Sequence, residues 1–381
     1  MLFIFEREMP LIKLLREKYG ELTKCKVEFL PLLDVREKDI DNHDIIVFVR
    51  PSDPLSLKIA KNAKQSGAFT VFYTDDDLLN LPSTSPFSAT RKKTMNKIAQ
   101  YTETVLAANP HICRKYSQIV PSHRYAETIT SVDYLDLQCI DDKLSGQGSE
   151  KTKIVYAAGN GHERLFEQFI RPILPRLNEK YHHAISLDFV GVHPDVGDMA
   201  EKMEIRYTSG MSLAEYRTFM SNNSFDLGVA PLEGTEFDKC KHYNKYLEYT
   251  SAGIVGVYSN CEPFTNAVTD HWNGLLADND TDSWFDAICY GIDHADQRRE
   301  YLKNARDHIL TQYTKRAFEE KLYCDIPELL SYEKTRTSCR SLLSGKLQYT
   351  LFRLTDRIYL FLFYLKNNKG YIAKKIESVL K

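Results

Sequence analysis

The chain predicts an α/β protein built from two Rossmann-like domains with a C-terminal helical extension, and three observations carry that expectation. Its 381 residues suit two domains of roughly 150 residues each. Short apolar runs alternate with helix-punctuated stretches along both halves, the pattern of parallel sheets. Between the two series lies DDKLSGQGSEKTK at residues 141–153, almost without apolar side chains and with two glycines, the composition of an exposed connection. The expected division is residues 1–145, residues 146–315, and a helical return with a basic amphipathic tail over 316–381.

In the first half, residues 26–30, 44–50, 69–74 and 104–108 read as strands. The helix between the second and third of these is well marked. Ser52 or Asp53 is its N-cap, Pro54 occupies its first turn and Gly67 stands just past its end. In the second half, residues 154–158, 186–190, 204–207, 225–230, 254–258 and 275–277 read as strands with helices between them.

Composition bounds the function. Fifty Lys and Arg against 52 Asp and Glu give a net charge of −2, which supplies no global case for nucleic-acid binding. Eight cysteines are scattered without a C-x-x-C pair, and the chain is too long to need disulfide staples, so reduced thiols in a cytoplasm are expected. The amino terminus has a short apolar run before Glu6, without the basic region and longer apolar core of a signal peptide. No stretch reaches the roughly 18 uninterrupted apolar residues of a membrane span. The 11 histidines show no H-E-x-x-H spacing, and no metal site is assigned.

The most informative stretch is residues 225–279, FDLGVAPLEGTEFDKCKHYNKYLEYTSAGIVGVYSNCEPFTNAVTDHWNGLLADN. It reads as strand, helix over 241–252 stopped by Gly253, and strand. On that helix Lys241, Lys245 and Glu248 fall at i, i+4 and i+7, so two ammonium groups and a carboxylate share one face. Such a face can neutralise phosphates and grip a sugar diol. A solvated lysine face is the plain alternative. Strand 154–158 runs into AAGNGHERLF, where Gly159 and Gly161 free the backbone ahead of a helix start and His162 and Arg164 follow. Arg164 replaces the third glycine of a dinucleotide fingerprint, so an ordinary βα turn competes with a phosphate loop here.

The run Lys245, Tyr246, Leu247, Glu248, Tyr249 and Gly253 resembles the donor half of GT-B glycosyltransferases of the retaining family-4 type, with its K-x-L-E-Y-x-x-x-G helix. That resemblance implies two Rossmann-like domains facing a cleft. It also implies that Glu248 binds the ribose hydroxyls of a nucleotide sugar and that Lys241 and Lys245 approach its phosphates. The commoner form of the family has a glutamate eight positions earlier, where this chain has Cys240, so the role given to that glutamate is unassigned. A branch with F-N-x-x-K-S-x-x-K-x-x-E-Y is closer, and Phe237, Asp238, Lys241, His242, Lys245, Glu248 and Tyr249 follow it with Asp for Asn and His for Ser.

Asp75, Asp76 and Asp77 emerge at a strand's carboxyl end, where open α/β sheets place ligands. As a D-x-D motif they can hold Mg²⁺ or Mn²⁺ against a diphosphate, in the manner of a GT-A-like transferase using Asp75 and Asp77. YTDDDLLNLP also resembles the Y-D-x-D-D-D-L-x-x-L-P segment of the acceptor domain in the same GT-B branch, which implies an acceptor-side place for all three. A capped helix start with solvated acids is the plain alternative. Arg50 closes strand 44–49 on the same side, where a guanidinium binds phosphate or pairs with these carboxylates.

The tail 341–381 carries eight Lys and Arg, Lys346, Arg353, Arg357, Lys366, Lys369, Lys374, Lys375 and Lys381, against Asp356 and Glu377. Leucines and aromatics from Leu347 to Leu365 interleave with those cations, as in a helix lying in an anionic membrane interface. A helix packing back on the first domain is the alternative. Arg91, Lys92, Lys93 and Lys97 form a second candidate basic patch.

The function expected from all this is transfer of a sugar, with retention, from a nucleotide-sugar co-substrate to a surface-polysaccharide or lipid-linked glycan. No further cofactor is expected. The expected partners are the nucleotide sugar, the glycan and an anionic membrane surface at the inner face of the plasma membrane, and not nucleic acid. Lys241, Lys245, Asp76 and Asp77 are the candidate catalytic residues. Gly159, Gly161, His162, Arg164 and Glu248 complete the donor set, and Arg50 and Asp75 the acceptor set. A non-catalytic GT-B-like scaffold, suggested by Cys240, is the reading from a different class. A phosphohydrolase using the aspartate run is a third, but no D-x-D-x-T pattern accompanies it.

Overall fold

The computed structural model describes residues 1–81, 87–122, 124–127, 132, 135–146, 151–159, 163–334 and 340–367. It divides into two units, Met1–Thr130 with Phe318–Lys381, and Ser131–Ala317.

The first unit holds a parallel sheet of β1 (Leu2–Phe5), β2 (Glu28–Pro31), β3 (Ile45–Val49), β4 (Phe69–Thr74), β5 (Thr104–Ala107) and β6 (Arg124–Glu127), in the order β2-β1-β3-β4-β5-β6. The short apolar run at the amino terminus is therefore a strand. It lies beside β3 in register, Leu2 against Ile46 through Phe5 against Val49, and all four of its residues are buried. Both faces of the sheet are covered, as an all-parallel sheet requires. On one face Phe3, Val47, Val71 and Tyr73 meet Ile12 and Leu15 of the helix Pro10–Tyr19, with Phe318 and Leu322 of Lys315–Asp325. On the other, Leu2, Ile46 and Phe48 meet Leu55, Ile59 and Ala63 of the helix Pro54–Gln65, and beyond it Tyr349 and Phe352 of Leu343–Asn367.

The helix Pro54–Gln65 begins as its punctuation predicts. The Asp53 carboxylate accepts from the backbone N–H groups of Leu55 and Ser56, both at 2.9 Å, and Gly67 takes a φ of 74° just past the end.

The second unit holds β7 (Thr152–Ala157), β8 (Ile185–Val190), β9 (Glu204–Thr208), β10 (Leu227–Ala230), β11 (Val255–Ser259) and β12 (Leu275–Ala277), ordered β12-β11-β10-β7-β8-β9. All its strand pairs are parallel. The helix Leu137–Ser145 belongs here, although residues up to 145 are expected in the first domain. Ile140 is fully buried, the Asp136 N–H donates to the Ser251 carbonyl and Lys143 donates to the Phe225 carbonyl, so this helix is stitched to the second sheet.

Two glycines in this sheet make room for tyrosines. A Cβ on Gly228 would stand 2.4 Å from the Tyr249 ring, and one on Gly256 1.9 Å from the Tyr258 ring. Tyr249 is fully buried and its hydroxyl donates to the Val229 carbonyl at 3.1 Å, so its ring cannot retreat. Gly228→Ala is expected to cost about 1–3 kcal/mol, measured by urea denaturation, through overpacking. In the Tyr249→Ala background the same change should cost almost nothing, because the ring it strikes is gone. Equal costs in the two backgrounds would contradict the packing described.

Candidate functional site

In doubly wound sheets ligands sit at the carboxyl ends of strands, next to the point where the strand order reverses. That point lies between β7 and β10 in the second sheet and between β1 and β3 in the first.

Gly159 follows β7, and a Cβ on it would meet nothing within 4 Å. Gly161 and His162 lie outside the described residues. Arg164, in the helix start that follows, forms a two-bond fork with Glu233 at 2.5 and 2.6 Å. Glu233 lies in the loop leaving β10, so the pair spans the reversal point of the sheet. The hydrogen bond from Arg164 holds the Glu233 carboxyl below its ordinary range.

Lys241 lies outside the helix that carries Glu248. A 3₁₀ turn, Asp238–Cys240, is fastened by Thr235, whose N–H and hydroxyl donate to the Asp238 carboxylate at 3.2 and 2.9 Å. Lys241 then takes extended geometry, and the helix runs only over Asn244–Ser251. The expected single face of Lys241, Lys245 and Glu248 is thus corrected, because the turn stops helical geometry three residues short. Lys241 pairs with Asp238 at 3.0 Å. Burial works against the Asp238 charge, yet Lys241 and the Thr235 donors hold its carboxyl below the ordinary value. Cys240 is buried at 1 % exposure and faces the interior.

Lys245 and Glu248 are together, one turn apart. The Lys245 ammonium donates to Glu248 Oε2 at 2.7 Å and to the Tyr216 hydroxyl at 3.1 Å, and that hydroxyl in turn donates to Glu248 Oε2 at 3.1 Å. Tyr216 comes from the helix Leu213–Asn222, started by a capping box in which Ser212 and Glu215 exchange side-chain and backbone bonds. Its ring also lies 5.1 Å from the Lys245 ammonium. Among the described residues the hydrogen bonds to Glu248 fall on Oε2, so Oε1 is placed to accept from a hydroxylated ligand. The Lys245 ammonium also lies 5.8 Å from the ring of Tyr249, whose hydroxyl donates to the Val229 carbonyl of β10, which ties the triangle to one of the two strands at the reversal point.

In the first unit Arg50 closes β3 with a φ of 48°, a left-handed conformation rare outside glycine. Its guanidinium donates from Nε to Asp75 at 2.5 Å and from Nη2 to Asp76 at 2.7 Å. Burial opposes its charge and the two carboxylates more than offset that, so its pKa lies above the ordinary value. Asp77 turns the other way. It is fully buried, accepting from Asn80 at 2.9 and 3.1 Å and from Lys115 at 2.9 Å. The three aspartates therefore do not act as one group: Asp75 and Asp76 line the strand ends with Arg50, and Asp77 holds the loop.

Sequence reasoning missed Glu6, Tyr216, Glu233 and the inward role of Arg91. Glu6 follows β1 at the reversal point of the first sheet, and only a reading of residues 2–5 as a strand could have found it. Arg91 is not part of an exposed basic patch. It donates to Glu6 at 2.9 Å, to the Ser52 hydroxyl at 2.8 Å and to Asp356 at 2.8 Å. Lys93 and Lys97 are exposed. Among the described residues no group of three or more His, Cys, Asp or Glu is placed to hold a metal ion. A cavity of about 530 Å³ lined by Asp136, Lys143, Asp226 and Arg298 lies at the amino ends of β10 and β11, the opposite end of the sheet from Lys245.

No family model and no curated protein matches the chain. Solved structures do. It is similar to the Anabaena protein HepE in complex with UDP and glucose, with a TM-score of 0.59 at 12% identity over 86% of this chain and 99% of that one. It is similar also to sucrose-phosphate synthase from Thermosynechococcus elongatus, TM-score 0.54 at 12% identity over 76% and 74%. A third is the UDP-forming trehalose-phosphate synthase from Burkholderia xenovorans, TM-score 0.53 at 8% identity over 76% and 74%. The chain has the GT-B fold, two Rossmann-like parallel-sheet domains with a C-terminal helix.

The division of labour among the aspartates has a thermodynamic signature. Asp77→Ala should lower stability by about 2–3 kcal/mol, since it strips the buried partner from Lys115 and the acceptor from Asn80. Asp76→Ala, at a partly exposed pair, should cost less than about 1 kcal/mol. Thermal unfolding of the two variants decides the point, and a larger loss for Asp76→Ala would reverse the assignment.

Proposed function

We propose that this protein is a glycosyltransferase that takes a sugar from a nucleotide-sugar donor bound by the second unit and passes it to a glycan acceptor bound by the first. The observation that carries the reading is the Tyr216–Lys245–Glu248 triangle, joined through Tyr249 to β10 beside the reversal point. A carboxylate with one oxygen available suits the two ribose hydroxyls of a nucleotide. An ammonium beside it suits the diphosphate. The solved neighbour complexed with UDP and glucose makes a UDP-sugar the first donor to try.

In the reaction the bond between the sugar's anomeric carbon and the diphosphate oxygen breaks, and a bond to the acceptor oxygen forms. Negative charge gathers on the departing diphosphate, so cations already in place accelerate the step. Lys245, Lys241 and Arg164 are assigned that task. Each is paired with a carboxylate, Glu248, Asp238 and Glu233, so donor binding would exchange carboxylate partners for phosphate oxygens. With retention of configuration the leaving phosphate takes the acceptor's proton, and no separate base is required. Arg50, Asp75 and Asp76 lie on the acceptor side. The acceptor is a surface polysaccharide or a lipid-linked glycan, and the protein works as a peripheral protein at the inner face of the plasma membrane.

The metal-dependent alternative needs Asp75 and Asp77 to converge on one ion, whereas Arg50 holds the first and Lys115 the second. Chelation is the direct check. With EDTA present the transfer rate should stay within a factor of two, and abolition by EDTA with rescue by Mn²⁺ would establish the metal reading instead.

Glu248→Ala should weaken UDP-sugar binding by about 2–3 kcal/mol in calorimetry, the worth of charge-assisted bonds to two hydroxyls. Lys245→Ala should lower the rate of transfer or donor hydrolysis by more than it weakens binding, because diphosphate charge grows toward the transition state. Unchanged donor affinity in folded Glu248→Ala would remove the triangle from the donor site. Tight donor binding with no turnover for any acceptor would favour the scaffold reading.

A further inference from the structure

The helix Leu343–Asn367 has two opposite apolar faces. One is committed. Tyr349 and Phe352 are buried in the first unit, and a Cβ on Gly345 would stand 3.0 Å from Lys58 of the helix Pro54–Gln65, so the two helices approach closely. The other face is bare. Leu347, Leu351, Leu354, Ile358, Phe361 and Leu365 recur at steps of four and three and are each between 40% and 67% exposed. From Leu347 to Leu365, about 27 Å of helix, that is a continuous stripe of large apolar side chains open to solvent, the kind of patch that marks an interaction surface.

We propose that this stripe docks on an anionic lipid bilayer, with the helix lying flat in the headgroup region, and that the acceptor is therefore carried on a lipid. The proposal rests on the reading that the first unit handles the acceptor.

Charge selects lipid over a second copy of the chain. Steps of four and three are also the spacing of a coiled-coil seam. On this helix, however, Lys346, Arg353 and Arg357 border the stripe along one side and Lys366 along the other. Its only carboxylate, Asp356, is buried and bound by Arg91. Two such helices face to face would bring like charges together with no exposed carboxylate on either helix to offset them. Anionic headgroups supply the missing charge, and acyl chains the missing apolar partner. No helix among the described residues is long and apolar enough to cross a membrane, so the geometry is that of a helix lying on one.

The buried face connects this surface to the acceptor end. Arg91 joins Asp356 of the helix to Glu6 and Ser52, which follow β1 and β3 at the reversal point of the first sheet. The Tyr349 hydroxyl also donates to Glu6, at 3.2 Å. Arg50, with Asp75 and Asp76, stands two residues before Ser52. The helix that carries the exposed stripe and the strand ends that would receive the acceptor are thus bonded to each other.

The test is flotation of the full chain with vesicles of equal parts phosphatidylglycerol and phosphatidylcholine, and with phosphatidylcholine alone. The intact protein should float with the anionic vesicles and much less with the neutral ones. Leu351→Asp with Ile358→Asp should reduce flotation at least tenfold. Arg357→Gln should reduce it about fivefold, since one basic residue near an anionic surface is worth about that factor. UDP-glucose binding and circular dichroism are followed in parallel on all variants. Retained values keep the loss specific to lipid, and absent donor binding in the intact chain would count against the sugar-transfer reading alone. A lipid-anchored glycan on the same vesicles should be glycosylated faster than the same glycan free in solution. Failure of the intact chain to float, or a dimer in sedimentation that the Leu351 and Ile358 changes dissociate, would overturn the proposal.

Discussion

An all-parallel sheet has no face it can leave to water, and the rest of this molecule follows from meeting that requirement twice. Six parallel strands in each unit present Val, Ile, Leu and aromatic side chains to both sides. The second sheet is covered by helices from its own βα units. The first is covered partly by Phe318–Lys381, which returns after the second unit has been completed. Phe318 and Leu322 seal one face, and Tyr349 and Phe352 back the helix on the other.

The same architecture decides where chemistry can happen. Parallel strands all deliver their exits to one end, so the exits of β7 and β10 lie side by side and so do those of β1 and β3. Each pair of loops is bridged by an arginine that belongs to neither strand: Arg164 reaches Glu233 across one reversal point, and Arg91 joins Glu6 to Ser52 at the other. Charged groups in both places arrive already paired. In the second unit the cations Arg164, Lys241 and Lys245 are each paired with a carboxylate. For the first unit the pairing means that a helix far along the chain is joined to the strand ends of Glu6 and Ser52.

Much of the fold was legible because burial on both faces writes strands as uninterrupted apolar runs, and because Asp53, Pro54 and Gly67 mark a helix by chemistry that hardly depends on context. The strand Leu2–Phe5 was not legible, since four apolar residues at a terminus carry no period. The domain boundary was misplaced at 145 because residues 141–153 are polar, while the one deeply buried side chain of the helix Leu137–Ser145, Ile140, is a weak sequence signal. In the candidate site, the pairing of Lys245 with Glu248 is legible from helical spacing, which is local. Lys241 was assigned to the same helix because nothing in the spacing shows the turn that Thr235 and Asp238 build. Tyr216 lies 32 residues from Glu248 and Glu233 lies 69 from Arg164, and such pairs exist only once the sheet brings their loops together. The tail was read as either membrane-facing or packed. The helix packs by one face and exposes the other, a combination that composition cannot separate.

The claim on which everything functional depends is that the loops after β7 and β10, with the Lys245–Glu248 helix, receive a nucleotide sugar. Saturation-transfer NMR tests it most directly, with UDP-, GDP- and dTDP-sugars offered in turn in the presence of EDTA. Saturation should pass to the ribose protons of at least one donor, most strongly at H2′ and H3′ beside the hydroxyls that Glu248 would hold. It should disappear in a folded Glu248→Ala variant. Absence of transfer to every nucleotide sugar, or ribose signals that survive the loss of Glu248 unchanged, would contradict it.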